Sequence, residues 1–367
     1  MRQMQSQRLT ASPTTLMNDL SLGMIQLDLT ELLGTAAKGS LLTNVVHTLQ
    51  HFRNTTSRTL GGCAMRAVMH EHVPHSAWQQ PFIMHMILAL SNAHLRRLAN
   101  RTESSANHAL LEAVHWQRGL QNYRTAVSLA DPTASQEYGD ALVTGSLLSL
   151  YYSTTLDGEM APDAFIVDYE AAVETMLAPL ALSHGLRALR MTLGTFTPSS
   201  IFASVWALAA PKGSMPIREP KTPDSLFILE MICNLNIGDD MVQEMVRSIA
   251  DRLAPIMFSS GTANYRDDIL RFGGKAWPHL CQLLAGRSPQ AMMLLFCWFK
   301  VLGGTRQWWA STRAKLQAEA IKVYLCSLPP PIEDLSAWSF CLVTVFAFES
   351  TDLMSTADAS NRLTDSR

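Results

Sequence analysis

The stretch PFIMHMILALSNAHLRRL, at positions 81–98, constrains the fold of this chain more than any other. Pro81 suits the first turn of a helix, and the residues after it place apolar side chains on nearly every side of that helix. Such a helix has to be covered by neighbours on several sides, because its apolar faces would otherwise meet water. The stretch therefore predicts a buried central helix inside a larger helical body.

The rest of the chain repeats helical spacing and lacks the signals of strands. Apolar side chains at positions 109, 113, 116, 120, 123 and 127 lie on one stripe of a helix. No stretch alternates apolar and polar residues over the length of a strand, and no Asn-Gly or Asp-Gly turn joins two β-branched runs. We therefore predict an all-α fold, a large helical bundle, without a repeat of fixed period.

The helical pattern also divides the chain. Residues 1–40 are polar and irregular, and we expect a loosely ordered segment there. Residues 41–350 are predicted to form one all-helical domain. The stretch 210–224 holds four prolines and no helical pattern, so a subdomain break, if there is one, is expected there. Residues 351–367 are predicted to be a polar tail.

Charge and hydropathy exclude several classes of protein. The net charge is −2 and no run of five basic residues occurs. Because a nucleic-acid surface needs basic side chains to meet phosphates, we expect no direct contact with nucleic acid. The longest apolar runs, 292–299 and 340–348, are far shorter than the roughly 20 residues of a membrane span. We predict no membrane span and no signal peptide.

The histidines are the side chains most suggestive of chemistry. His70, His72 and His75 lie close together in the sequence, but no second cluster offers the further ligands that a zinc ion needs. His85 and His94 are nine residues apart, which is about 900° of helical rotation, so they cannot bind one ligand together. We predict no metal site and no cofactor, and we interpret His85 and His94 as hydrogen-bonded core or interface side chains.

One helical stripe is the candidate binding site. Met293, Phe296, Cys297 and Val301 share a face of the helix predicted over 289–302, and they form either packed core or the wall of an apolar pocket. The six cysteines show no CxxC spacing, which favours reduced thiols over a zinc framework. The common motifs of nucleotide enzymes, serine hydrolases and zinc proteases do not occur, so we predict no catalytic residue.

Three short pairs have both a functional and a structural interpretation. Trp308–Trp309 could stack on a ligand, but packing at the start of a helix is favoured. Asp239–Asp240 and Asp267–Asp268 follow turn-like residues, and we interpret both pairs as solvated helix caps.

Three motifs in the first half of the chain have a familiar arrangement. They are HTLQHFRNTTSRTLGG at 47–62, VPHSAWQQPFIMHMILALSNAHLRRL at 73–98 and HWQRGLQNYRTAV at 115–127. They resemble the start of the regulatory domain of fungal zinc-cluster transcription factors, and the resemblance is closest to the sterol-uptake-control branch. It spans about residues 45–155 and implies an all-helical effector domain in which His85 and His94 are positions of the fold. The matching positions in the first two motifs are His51, Phe52, Thr56, Ser57, Thr59, Leu60, Val73, Pro74, Ala77, Pro81, Phe82, Met84, His85, Ile87, Leu88, Ala89, Leu90, Ser91, His94 and Leu95.

The resemblance also implies a function, with one departure. Members of the family carry a DNA-binding cluster of six cysteines around two zinc ions, whereas the first 200 residues here hold one cysteine, Cys63. We therefore expect a transcription-factor-like regulatory protein without its own DNA-binding domain, in the nucleus or alternatively the cytoplasm. It would control a fungal secondary-metabolite or sterol pathway through a protein partner, a homodimer, or a bound lipid or other apolar small molecule.

Two alternatives stay open. The domain could have been recruited as a cyclase or isomerase that acts on a hydrophobic terpenoid or polyketide intermediate, because an apolar cavity can favour one substrate conformer. It could also be a helical scaffold for protein contacts, since a fold does not determine a function.

Overall fold

The computed structural model describes residues 38–99, 103–130, 135–156, 160–193, 198–207, 223–235, 237–258, 265–330 and 335–347. All regular structure in these ranges is helical and none of it is a strand, so the predicted all-α fold is confirmed. Within the same ranges, no helix is long and apolar enough to cross a membrane. The predicted lead-in up to residue 37, the proline-rich stretch up to residue 222 and the predicted tail lie outside the described residues.

The chain divides into two compact units. Unit 1 comprises residues 1–60, 65–148 and 193–202, and unit 2 comprises residues 61–64, 149–192 and 203–367. The sequence predicts one helical domain over 41–350, and the division falls inside that range.

Unit 1 is built around a helix that begins at a proline, as the sequence predicts. Pro81 occupies the first turn of that helix, where its missing N–H is not needed. The helices that lie wholly or mainly in unit 1 are α1 (Lys38–Asn54), α2 (Cys63–Ala67), α3 (Val73–Gln79), α4 (Pro81–Leu98), α5 (Glu103–Ser128) and α6 (Gln136–Thr155).

Helix α4 is the buried centre of unit 1, which confirms the prediction from its apolar faces. Its side chains from Phe82 to His94 are all buried. Helix α5 packs along it so closely that a Cβ built on Gly119 would lie 3.0 Å from Cγ of Met86 and 3.2 Å from its backbone nitrogen. A glycine at this position therefore allows the backbones of α4 and α5 to approach each other.

The buried face of α5 differs from the predicted apolar stripe. Ala109, Ala113 and Val127 of that stripe are exposed, whereas Glu112 and His115 are buried. The stripe was predicted from hydrophobicity alone. Polar side chains of α5 can be buried here because polar side chains of α4 pair with them.

Unit 2 is centred on a second buried helix. That helix begins at Pro289, and the side chain of Ser288 caps it by accepting a hydrogen bond from the backbone N–H of Ala291 at 3.3 Å. The helices that lie wholly or mainly in unit 2 are α7 (Ala164–Val167), α8 (Tyr169–Leu193), α9 (Ala203–Ala207), α10 (Pro223–Asn234), α11 (Asp240–Phe258), α12 (Tyr265–Ala285), α13 (Pro289–Gly304), α14 (Ser311–Ser327) and α15 (Leu335–Ala347).

Two glycines, Gly273 and Gly274, lie in the middle of α12. A Cβ built on Gly273 would lie 2.4 Å from Cδ2 and 3.2 Å from Cα of Leu180 in α8. The hydroxyl of Ser183 donates a hydrogen bond to the carbonyl of Leu270 at 2.9 Å and accepts one from the N–H of Gly274 at 3.1 Å. The glycines are therefore explained by close packing of α8 on α12.

We expect the substitution Gly273→Ala to destabilise the protein, although alanine is the better helix former. Overpacking against Leu180 costs about 1–3 kcal/mol and exceeds the helix-propensity gain of up to about 1 kcal/mol. Gly185→Ala is the matched control in α8, because Gly185 is exposed and its new Cβ would meet nothing within 4 Å. In urea unfolding followed by circular dichroism, the free energy of unfolding should be lower than that of the parent for Gly273→Ala and higher for Gly185→Ala. Equal stabilisation by both would contradict the packing of α8 on α12.

Candidate functional site

A pocket of about 250 Å³ lies in unit 1, between α1, α3 and α4. Each helix contributes residues three or four positions apart, so a continuous face of each helix lines the pocket. The lining residues are Val46, Leu49, Gln50, Phe52 and Arg53 from α1, Pro74 and Trp78 from α3, and Met84 and Ile87 from α4.

The floor and the opening of this pocket differ in exposure. Phe52, Met84 and Ile87 are buried and form an apolar floor. Val46 is 41% exposed and lies at the opening. A methionine in the floor can repack around ligands of different shape, because its side chain is unbranched and flexible. The pocket can therefore take up an apolar group and withdraw it from water.

The rim of the pocket carries its polar groups. Arg53 is the only ionisable side chain among the lining residues, and Gln50 lies one turn before it on the same helix face. The carbonyl of Arg53 accepts hydrogen bonds from Nδ1–H of His70 at 2.9 Å and from the hydroxyl of Ser57 at 3.1 Å. These two bonds fix the main chain from which the guanidinium extends.

The chemistry available in this pocket is that of binding. An arginine side chain stays charged throughout the ordinary pH range, so it can neutralise an anion but cannot accept a proton from a substrate. The remaining lining groups are apolar apart from an amide and an indole N–H. The pocket can orient an amphipathic molecule by one polar end.

Helix α4 also carries two buried histidines, each paired with another histidine. Nδ1 of His85 lies 3.0 Å from Nδ1 of His115 in α5, so one ring donates and the other accepts. Nδ1 of His94 lies 3.0 Å from the Thr56 hydroxyl and 3.3 Å from Nε2 of His51. Both arrangements need neutral rings, because a doubly protonated pair would place two donors and two positive charges together.

Burial and mutual repulsion act on these rings in the same direction. Burial first, and then the nearby His85, lower the pKa of His115 to about 3. Burial first, followed by His51 and Arg97, lowers the pKa of His94 to about 4. Burial is also the main reason that the pKa of His51 is lowered. His51, His94 and His115 are therefore neutral hydrogen-bonding groups at neutral pH.

Polar pairs continue along the contact between α4 and α5. Oδ1 of Asn92 accepts a hydrogen bond from Nδ1–H of His108 at 2.9 Å, and Arg96 forms an ion pair with the buried Glu112 at 2.7 Å. These pairs account for the polar face that α5 buries.

The predictions for the histidines can now be compared with the structure. His85 and His94 contact different partners and are buried and hydrogen-bonded, as predicted. Of the other cluster, His70 bonds the Arg53 carbonyl, while His72 and His75 are exposed. Within the described residues, no group of three His, Cys, Asp or Glu side chains is arranged to bind a metal ion.

The apolar stripe predicted as a pocket wall lies in the core of unit 2. Met293, Phe296, Cys297 and Val301 are all buried on α13. Sδ of Met293 is 3.7 Å from Sγ of Cys341, and the ring of Phe296 packs edge-on against Phe346. These four residues line neither the pocket between α1, α3 and α4 nor a second cleft, which lies at α10 and α11. Their role in ligand binding stays a prediction.

A second, polar cleft of about 870 Å³ lies in unit 2, at α10 and α11. It mixes acidic and basic side chains. Burial raises the pKa of the Cys233 thiol in its wall, so that thiol stays protonated at neutral pH and is a poor nucleophile. The lining residues are Cys233, Asn234, Leu235, Asp240, Gln243, Glu244, Arg247, Ser248, Asp251 and Arg252.

The paired residues of the sequence have mostly structural roles. Trp309 is buried and packs edge-on against Tyr151 with ring centroids 5.1 Å apart, which supports the structural interpretation. Asp239 caps α11 by accepting a hydrogen bond from the N–H of Val242 at 2.9 Å. Asp267 is different, because it is buried and accepts a hydrogen bond from the Gly62 N–H at 2.8 Å. The interpretation of Asp267 as a solvated cap was therefore wrong.

The sequence offered only a weak signal for the pocket between α1, α3 and α4. Val46, Leu49 and Phe52 fit helical spacing, which does not by itself distinguish packed core from the lining of a pocket. The partial exposure of Val46 and the neighbouring Arg53 distinguish a binding face from core, and both depend on which helices cover α1.

Comparison of the chain with protein-family models, with curated proteins and with solved structures gave no match.

Proposed function

We propose that this chain is a regulatory domain of the transcription-factor type that responds to a bound apolar small molecule. It acts in the nucleus on the expression of a fungal metabolic pathway, and it passes its signal to a protein partner instead of contacting nucleic acid itself. The observation that carries the proposal is the apolar pocket between α1, α3 and α4. Nearly all of its lining comes from residues 47–62 and 73–98, the two segments in which the resemblance to fungal regulatory domains is strongest.

The composition of the pocket supports binding over catalysis. A cyclase or isomerase needs a group that gives or takes a proton near the substrate. Arg53 is the only ionisable group that lines the pocket, and a guanidinium does not give up or accept a proton in the ordinary pH range. The nearby histidines are engaged in pairs that hold α1, α4 and α5 together.

A ligand in this pocket would act through the helices that form it. A molecule that binds one arrangement of α1, α3 and α4 better than another shifts the population towards that arrangement. When the free ligand concentration is one hundred times the dissociation constant, binding stabilises the form that binds the ligand by about 2.7 kcal/mol. This is enough to change the surface that a partner protein meets.

Deletion of the gene in the source organism tests the proposal. We expect transcripts of a group of biosynthetic genes to fall together, because a regulator acts on expression and not on one reaction step. Normal transcripts with accumulation of a single late intermediate would contradict the proposal and would favour an enzyme.

A pocket-filling variant links that phenotype to the pocket. Val46→Trp places an indole in the opening of the pocket. When the gene for this variant is returned to the deletion strain, we expect transcript levels to be restored incompletely, or to become independent of the ligand. Val127→Trp is the matched control, since Val127 is 38% exposed against 41% for Val46 and does not line the pocket. Full restoration by both variants would argue against the pocket as the regulatory site.

A further inference from the structure

We infer that the pocket between α1, α3 and α4 binds the anion of a medium-chain carboxylic acid, with the hydrocarbon chain on the apolar floor and the carboxylate at Arg53. This inference rests on the proposed function and names the class of its ligand. It follows from the size of the pocket, the position of its polar groups and the sign of its charge.

The size of the pocket sets the length of the hydrocarbon. A volume of about 250 Å³ holds roughly eight groups of the size of a water molecule, taking about 30 Å³ for each. A hydrocarbon chain of about eight carbons beyond the carboxylate fills this space, whereas a tetracyclic sterol is far larger. Phe52, Met84 and Ile87, which are buried, would contact the end of the chain away from the carboxylate.

The polar groups are placed on one side, as an amphipathic ligand requires. Gln50 and Arg53 are three residues apart on α1 and both are exposed, so they form a rim and not a floor. A guanidinium donates two parallel hydrogen bonds to a carboxylate, and the amide of Gln50 can donate another.

The sign of the charge excludes a cationic ligand. The pocket has one positive lining group and no negative one. A neutral alcohol of the same length would keep the apolar contact but lose the charge-assisted hydrogen bonds. Because Arg53 is exposed, its contribution is modest and is screened by salt.

The test compares decanoate with decanol on the full chain at neutral pH. Binding is followed by isothermal titration calorimetry and by the change in total tryptophan fluorescence, to which Trp78 contributes as a residue that lines the pocket. We expect decanoate to bind up to about fivefold more tightly than decanol at low salt, a typical effect of an exposed ion pair, and we expect this advantage to shrink as salt is added.

Two arginine variants test whether the preference for decanoate over decanol depends on Arg53. Arg53→Met keeps much of the apolar stem of arginine and removes the charge, so it should abolish the preference for decanoate while decanol binds as before. Arg58→Met is the matched control, because Arg58 is exposed in the 3₁₀ turn Thr56–Thr59 and does not line the pocket. It should keep the preference.

The outcomes separate this inference from the proposed function. If the parent protein bound decanoate and decanol with equal affinity, and Val46→Trp bound neither, the inference of a carboxylate ligand would be overturned. The pocket would then remain a site for an apolar ligand. A preference that survives Arg53→Met would also overturn it. Absence of binding by either probe, in the parent and in Val46→Trp, would count against both the inference and the proposed function.

Discussion

Acidification from neutral pH to about pH 4.5 is expected to destabilise unit 1 by at least about 2 kcal/mol, through its buried histidines. His115 carries the largest part, since burial and the neighbouring His85 lower its pKa to about 3. A histidine in an unfolded chain has a pKa of about 6.5, and each unit of difference corresponds to about 1.4 kcal/mol. His94, with a pKa lowered to about 4, adds to the loss over the same range.

The direction of this effect follows from which state binds protons first. The folded pKa values lie below the unfolded value, so the unfolded chain takes up protons as the pH falls below about 6.5. The stability contributed by the neutral histidines is fully present above that pH. It decreases progressively towards the folded pKa values of about 4 and 3.

Hydrogen exchange at the backbone amides of α4, corrected for the intrinsic pH dependence of exchange, measures the stability of unit 1. The variant His115→Asn keeps a hydrogen-bonding group near His85 but does not titrate, so its stability should depend less on pH. His75→Asn is the control, because His75 is exposed. The same pH dependence in the parent protein and in His115→Asn would show that the pair of His85 and His115 does not govern acid stability.

Replacement of Arg313 by methionine is expected to lower the free energy of unfolding of unit 2 by about 1–3 kcal/mol. Arg313 is buried at the start of α14 and donates hydrogen bonds to the carbonyls of Ser153 and Thr175, and to that of Leu156 at 3.4 Å. Ser153 lies in the last turn of α6 and Leu156 directly follows that helix, where carbonyls lack partners within the helix and where a positive charge is favourable. Methionine fills a similar volume but leaves the buried carbonyl of Ser153, and the partly buried carbonyls of Leu156 and Thr175, without this donor.

Urea unfolding of the full chain, followed by the fluorescence of its tryptophans, measures this loss. Lys315→Met is the matched control on the same helix, because Lys315 is exposed, and it should change stability by less than about 0.5 kcal/mol. Arg313→Lys should lose less stability than Arg313→Met and more than Lys315→Met, since lysine keeps the charge but has a single nitrogen to reach several carbonyls. If Arg313→Met unfolded at the same urea concentration as Lys315→Met, the three carbonyl contacts would not contribute as described.

The helical fold could be predicted from the sequence because its central helices carry their own signals. Helix α4 begins at Pro81 and α13 at Pro289, each next to an apolar run that only a buried helix can accommodate. Local signals failed where tertiary contacts overrule them. Gly273 is a poor helix former but lies inside α12, at a position where Leu180 leaves no room for a side chain.

The candidate site was harder to predict, for a similar reason. The sequence identifies His85 and His94 as hydrogen-bonded side chains on opposite sides of a helix, but it does not identify their partners on other helices. It also identifies apolar stripes without showing which of them is covered. The stripe of Met293 is buried in the core of unit 2, whereas the stripe of Val46 opens onto a pocket. That difference arises from the packing of helices distant in sequence.

Native mass spectrometry of the protein isolated from its source organism tests most directly whether unit 1 holds an apolar small molecule. We expect a non-covalent adduct that organic solvent extracts, that Val127→Trp retains and that Val46→Trp loses. An adduct present to the same extent in both variants, or the bare mass of the chain in the parent protein, would contradict ligand binding between α1, α3 and α4.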